Sequence, residues 1–451
     1  PNILFICDDQ HRWDYLGCAG ADWVDTPNID RLAARGVRFA TCCTNAPVCA
    51  PARIALATGL QAHRVGALAN NTYLPLSHRT YYQRLRDAGY HVGGIGKFDL
   101  AKPDPINGIH GNRPLTYSWG FTHPLECEGK MHAGRRYVDG PHGPYTKFLD
   151  DRGLMQRFFD DYTRREAEGW SISAHDSVLP ADAFEDAFIG QRSVEFIERQ
   201  TGEYPWHLFV SFVGPHDPFD PPTEYADRYR DRPMPEPIPP NWDARPDWTH
   251  RQHRTDDPAI IETTRRQYCA AITQIDDQVG AILDAVERCG YGDNTIVIFA
   301  SDHGEMLGDH GMYTKVVPYE PSLRVPLIAA GPGVQSGQVS DALVEWIDIN
   351  ATICDCAGLP QQPDIDARSF RPVLEGRSTD HRTEIISGLR QHRLVRTATH
   401  KLIEHFNAGV ELFDLQNDPN EQRNLADDEK DLVRELRGRM QQRFTEGGPH
   451  R

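Results

Sequence analysis

The sequence predicts an α/β protein: a sheet covered by helices, followed by a smaller α+β domain. Three observations predict it. Short apolar runs alternate with helix-like segments along most of the chain. Several of those runs stop abruptly at an acidic pair or a histidine. After about residue 375 the texture changes to short strand-like runs closed by a charged helix.

Taken in order, "NILFIC" reads as a buried strand ending at Asp8 and Asp9. "TPNIDRLAARG" follows as a helix that Thr26 or Asn28 can cap and that ends at Gly36. "VRFATCCTNA" is strand-like, and "YYQRLRDAGY" then "HVGGIGK" repeats the helix–glycine–strand pattern. Residues 100 to 180 are rich in Gly, Pro, His and aromatic residues with weak periodicity. They predict loops and short helices, the kind of segment that gives a pocket its selectivity. "ADAFEDAFIGQRSVEFIERQ" resumes helix, and "PWHLFVSFVG" is a strand running into His216. A second polar loop over residues 217–258 precedes the long helix "TTRRQYCAAITQIDDQVGAILDAVERCG". "NTIVIFAS" is again a strand, ending in Asp302 and His303. "EIISGLR", "HRLVRTATHKLIEH" and "VELFDL" read as a meander. The predicted division is 1–375 for the larger α/β part and 376–451 for the C-terminal α+β part.

Composition narrows the function. With 451 residues the chain can bury a large core. Hydrophobic residues at 39% and charged residues at 25% fit a soluble globular protein, and no apolar run is long enough to span a bilayer. A net charge of -17 argues against nucleic acid as a partner. It leaves room for a small anionic substrate, which needs only a local cluster of positive charge. The ten cysteines form no CxxC pair or zinc signature and read as buried thiols, with disulfides in an exported protein as the alternative. The chain begins directly with a strand-like run. That favours a bacterial cytoplasmic location, with the periplasm or secretion as the alternative had a leader been removed. Sequons at Asn70 and Asn350 carry little weight. The surplus of loop is compatible with contacts in a homo-oligomer.

Asp8, Asp9, Asp302, His303 and His216 all follow apolar strands, and ligands of open α/β sheets bind beyond the carboxyl ends of strands. Three carboxylates and an imidazole suit one divalent cation. Oxygen-rich ligation favours Ca²⁺ or Mg²⁺, and the histidine also permits Mn²⁺.

"CAPAR", residues 49 to 53, matches the CxPxR signature of sulfatases of the alkaline-phosphatase superfamily. The flanking "FICDDQHRWDYLGCAG", "TPNIDRLAARGVRF" and "LATG" resemble the same family, as do "NTIVIFASDHGEMLGDHG" and "ELFDLQNDPNEQRNLA". The motifs arrive in the family's order. A tyrosine-phosphatase loop is excluded, since it needs five residues between Cys and Arg and three are present.

The resemblance implies an alkaline-phosphatase-like sandwich, with a large mixed, mostly parallel sheet between helices and a C-terminal antiparallel sheet. It implies hydrolysis of a sulfate monoester, with Cys49 converted by a formylglycine-generating enzyme to formylglycine. One hydroxyl of the hydrated aldehyde then attacks sulfur, and the other expels sulfate. Asp8, Asp9, Cys49, Asp302 and His303 become the metal ligands, most simply of Ca²⁺. Arg53 holds residue 49, Lys97 and Lys315 hold the sulfate oxygens, and His216 protonates the leaving oxygen. One position departs from the family's GKxH pattern: "GKFD" puts Asp99 where a histidine is common. Asp99 then serves as a base, or recognises a cationic part of the substrate. Two rival functions stay open at this point: a phosphonate monoester or phosphodiester hydrolase with the same machinery, and a non-catalytic binding protein. Against the latter, every position needed for metal and nucleophile is filled.

Overall fold

The computed structural model describes residues 1–242, 245–251 and 255–445. Parts of two predicted segments, residues 243–244 and 252–254 of the second loop and 446–451 of the C-terminal part, lie outside the described residues.

Among the described residues nine strands form one sheet. They are β1 (Asn2–Asp9), β2 (Gly36–Cys43), β3 (His91–Gly96), β4 (His123–Glu126), β5 (Trp206–Pro215), β6 (Thr295–Ser301), β7 (Arg324–Val325), β8 (Leu327–Ala330) and β9 (Gln338–Glu345). The spatial order is β4-β3-β5-β1-β6-β8-β2-β7, with β9 beside β2. The pairings from β4 across to β6 are parallel, as is β2 with β9. β8 runs antiparallel to both β6 and β2. A second sheet, antiparallel throughout, comprises β10 (Ile385–Gly388), β11 (His392–Arg396), β12 (His400–His405) and β13 (Gly409–Asp414). This is the expected mixed, mostly parallel sheet with a C-terminal antiparallel one. The sequence does not predict β4, which lies in the segment expected to hold loops and short helices, nor β7, β8 and β9; β4, β7 and β8 are only four, two and four residues long.

β1, β5 and β6 are buried along their whole length, which is why each reads as a nearly continuous apolar run, interrupted in β5 by His207 and Ser211. Alternate residues of β1 feed opposite cores. Ile3, Phe5 and Cys7 pack on one face with Trp346 and Phe209, and Leu4 and Ile6 pack on the other with Val210 and Ile275. The antiparallel sheet is tied on by buried charge. Glu320 meets Arg396 and Lys401 at 3.1 Å each, while Arg382 grips Asp348 with Nε at 2.6 Å. All ten cysteines are free thiols, eight of them buried. Among the described residues no helix is long and apolar enough to cross a membrane.

The first helix, Pro27–Ala34, shows what sequence could not supply. Thr26 is its N-cap residue, but the Thr26 side chain makes no capping bond. Instead Asp276, on the long helix Pro258–Arg288, accepts from the backbone N–H of Asn28 at 3.1 Å and of Ile29 at 2.8 Å. The carboxylate fills the role of a cap from 248 residues away. Asp276→Ala is therefore expected to destabilise the protein by about 1–3 kcal/mol, since it strands buried N–H donors. Urea unfolding checks this; an unchanged midpoint counts against it.

Candidate active site

Four neighbouring parallel strands end on the same side of the sheet, and each delivers site residues there. β3 leads into Lys97, β5 into His216, β1 ends in Asp8 and Asp9, and β6 leads into Asp302 and His303. At the end of β3 the chain turns at Gly96, with φ of 109°. A Cβ there would lie 1.9 Å from the Ser211 carbonyl oxygen, so only glycine lets Lys97 follow. Cys49 comes from a different element. It is the first residue of the helix Cys49–Thr58, all ten residues of which are buried. Asn70 Oδ1 accepts from the Ala50 N–H at 3.1 Å and so ties down that helix start.

Asp9, Cys49, Asp302 and His303 converge, with one ligand atom from each within 4.8 Å of the others. Cys49 Sγ lies 3.1 Å from His303 Nε2 and 3.8 Å from Asp9 Oδ1. His303 Nδ1–H donates to the Gly304 carbonyl at 3.0 Å, leaving the Nε2 lone pair aimed into the cluster. Asp302 Oδ1 accepts from the N–H groups of Gln10 and His303, and Asp302 Oδ2 accepts from Arg53 Nε at 2.7 Å. Asp9 Oδ2 is in close contact with Lys97 Nζ. Asp8 lies beside this cluster rather than in it. Its Oδ2 accepts from His11 Nδ1 at 2.6 Å, while its Oδ1 is buried with no hydrogen-bond partner.

That orphaned oxygen bears on whether these residues suit a cation. Burial raises the Asp8 carboxyl, His11 opposes the rise, and Asp302 and Asp9 add to it. A carboxylate oxygen left without a donor beside two other buried carboxylates and an imidazole lone pair is a donor set that fits a divalent ion. Charge inside the cluster is otherwise steeply arranged. Burial alone would raise Asp9, but Lys97, with His216, Arg53 and His303, holds it well below the usual carboxylate range. Burial and Asp9 push the Cys49 thiol up, yet Lys97, Lys315 and His303 prevail and hold it well below the usual thiol range.

The remaining predicted residues are present too. Arg53, 2% exposed, donates from Nη1 to the Lys97 carbonyl and to Ser211 Oγ, both at 2.6 Å. His216 Nδ1–H donates to the Asp217 carbonyl at 2.6 Å, so its Nε2 accepts from Lys315 Nζ. Asp99 is held by Lys102 Nζ at 2.7 Å and lies 3.2 Å from Lys97 Nζ. Burial would raise its carboxyl, but the two lysines and Arg53 keep it well below its usual value.

Sequence reading missed Gln10, which sits in the left-handed region with φ of 75°. Its Oε1 accepts from Lys315 Nζ, and its Nε2 donates to Glu305 and, at 3.1 Å, to Asp217. Glu305 itself is pushed up to about 7 by burial and Asp217, against the N–H groups of Leu307 and Thr314 and the Lys315 charge. Their signal was adjacency: each lies within two residues of a predicted site residue. Cys49, Lys97, His216 and Lys315 line a cleft of about 280 Å³ that also takes Lys102, Glu128 to His132 and Arg135 from the 100–180 segment.

A family model described as "Sulfatase" matches residues 1–359, and one described as "N-sulphoglucosamine sulphohydrolase, C-terminal" matches residues 308–446. An arylsulfatase of Clostridium perfringens is 30% identical over 478 residues, covering 99% of this chain and 96% of its own. A choline-sulfatase of Rhizobium meliloti is 29% identical, covering 96% of this chain and 84% of its own. The structure of a phosphonate monoester hydrolase from Silicibacter pomeroyi matches with a TM-score of 0.83 at 25% identity, over 100% of this chain and 96% of that one. Fold and site thus define a hydrolase of the alkaline-phosphatase-like type. The chain belongs to the sulfatase family and is a sulfuric ester hydrolase.

Proposed function

We propose that the enzyme cleaves a sulfate monoester with a formylglycine at position 49, matured from Cys49, and one Ca²⁺ held by Asp8, Asp9, Asp302, His303 and residue 49. The observation that carries this reading is the placing of Cys49. It stands at a helix start, 3.1 Å from His303 Nε2, facing the cleft with Lys97 and Lys315. When bound, the cation supplies Lewis-acid charge that draws electron density from the ester oxygens. The chain's own residues do the rest. Lys97 and Lys315 hold the sulfuryl oxygens, and their charge meets the charge that builds as the S–O bond breaks. Lys315 then turns from His216 Nε2 toward the substrate, which frees that nitrogen to take up a proton from solvent and pass it to the leaving oxygen. Arg53 fixes Asp302 and the Lys97 backbone in one grip.

Asp99 is not proposed as the base that a histidine would supply at its position. Its carboxylate is shared between Lys102 and Lys97, which makes it a poor proton acceptor. The phosphonate reading is not favoured, since the family model and the curated relatives above are sulfatases.

Two measurements test the proposal. After expression with a formylglycine-generating enzyme, peptide mass spectrometry is expected to find residue 49 as the aldehyde. The same material is expected to show a higher kcat/KM for a nitrophenyl sulfate than for a nitrophenyl phosphonate monoester. An unmodified thiol in active protein overturns the nucleophile; a strong preference for the phosphonate overturns the substrate.

A further inference from the structure

The cleft is graded in exposure and charged along its length. Side chains at its floor are nearly buried, Lys97 at 5% and Lys315 at 10% exposed. Further out, Lys102 is 18% and Arg135 is 40% exposed, and both line the same cleft. His132 lies among them. Burial pushes the His132 imidazole down to about 4, with Lys102, Lys97 and Arg135 adding to the shift and Asp99 opposing it. The cations therefore outweigh the nearby carboxylate at this spot, and a neutral imidazole lies in a positive field. This is a local reversal in a chain whose net charge is -17.

The acidic groups of the cleft are engaged by the protein; Asp217, at its floor, accepts from Gln10 Nε2 at 3.1 Å. Asp99 lies under Lys102, which takes both of its oxygens at 2.9 and 2.7 Å. Glu128 lines the cleft, but its oxygens accept from the N–H groups of Tyr145 and Thr146 and from the Thr146 hydroxyl. Glu166 pairs with Arg135 at 2.7 Å, with the side chains 49% and 40% exposed, and a pair open to solvent contributes little and is readily exchanged. Lys130 is already committed to Asp220 at 2.8 Å. Lys102 is paired as well, but at 18% exposure against 2% for Lys130 it reaches the open part of the cleft, and it shares Asp99 with Lys97. Lys102 and Arg135 are thus the cations a substrate can reach beyond the sulfate group.

We propose that the organic part of the sulfate ester carries a second anionic group, a carboxylate or a second sulfo group, bound by Lys102 and Arg135 in the outer cleft. This rests on the catalytic reading above, which places the reacting sulfate at Lys97 and Lys315. It replaces the alternative raised by the sequence, that Asp99 recognises a cation. A cationic group would meet Lys102 first, with Asp99 already neutralised behind it. The cleft volume, at the low end for small-molecule sites, suits a single ring bearing both groups.

The test uses three aryl sulfates with closely matched leaving groups: 4-(sulfooxy)phenylacetate, its neutral methylamide, and the corresponding arylmethanesulfonate. The mature enzyme is expected to turn over one or both anionic esters with kcat/KM at least about tenfold above that of the amide at low salt. The advantage should shrink as ionic strength rises. Which of the two wins identifies the second group. Arg135→Gln is expected to lower the anionic-to-neutral ratio about tenfold, and Arg135→Lys to restore most of it. Equal or better turnover of the amide overturns the proposal, as does a ratio unmoved in Arg135→Gln. Turnover of the amide alone leaves the catalytic reading standing while this one falls. No turnover of any of the three, with residue 49 verified as aldehyde, defeats both.

Discussion

Cys49→Ala is expected to abolish sulfate ester turnover, by at least about four orders of magnitude, the scale seen when an enzyme loses its nucleophile. The fold is expected to survive. Residue 49 opens a helix, where alanine is the best-tolerated residue, and the substitution removes one sulfur atom from a buried but polar spot. A stability change within about 1 kcal/mol is expected. Kinetics on a chromogenic sulfate together with thermal unfolding separate the two effects. Activity within tenfold of the parent means the nucleophile lies elsewhere, and Lys97, Lys315 and His216 then surround the wrong atom.

Arg53→Met carries the largest expected cost in stability, about 3–5 kcal/mol, because it removes one partner of a buried ion pair and leaves the other. Without the guanidinium, Asp302 Oδ2 loses its 2.7 Å bond, and the Lys97 carbonyl and Ser211 hydroxyl each lose one at 2.6 Å. Asp9, 3.6 Å from Arg53 Nη2, loses a second source of positive charge. Arg53→Lys recovers only part of the loss, since an ammonium cannot span three acceptors in that fork. Denaturant unfolding reads the effect. If Ca²⁺ binds as proposed, adding it restores more stability to the variant than to the parent, because the ion compensates Asp302. Equal midpoints for parent and Arg53→Met would falsify the structural role given to this residue.

Strand ends were legible in the sequence because a parallel strand buried on both faces carries few polar residues until it stops. Hence "NILFIC" and "NTIVIFAS" pointed to Asp8, Asp9, Asp302 and His303, and "PWHLFVSFVG" to His216. What separates Asp8 from Asp9 was not legible. Asp8 gives one oxygen to His11 and leaves the other without a hydrogen-bond partner, while Asp9 joins the cluster itself. Nor could the Asp276 cap be read, since it depends on which helix the fold brings alongside. Asn70 and Asn350 looked alike as sequons. In the fold Asn70 steadies the start of the helix Cys49–Thr58, while Asn350 is buried and donates to the Leu56 and Ala57 carbonyls. The sequence left Asp99 as either a base in place of histidine or a partner for a cationic substrate group; Lys102, three residues on, holds it as a counter-ion.

With the maturation proposed above, the complete burial of the helix Cys49–Thr58 implies an order in time. Cys49 is 1% exposed, Pro51 is buried and Arg53 is 2% exposed, so the folded protein hides the whole signal that a maturation enzyme would read. On the maturation proposed above, oxidation must come while the chain is still extended. Each molecule then carries a permanent record of that moment: once closed over an unconverted thiol, it keeps the same fold and stays inert until it unfolds.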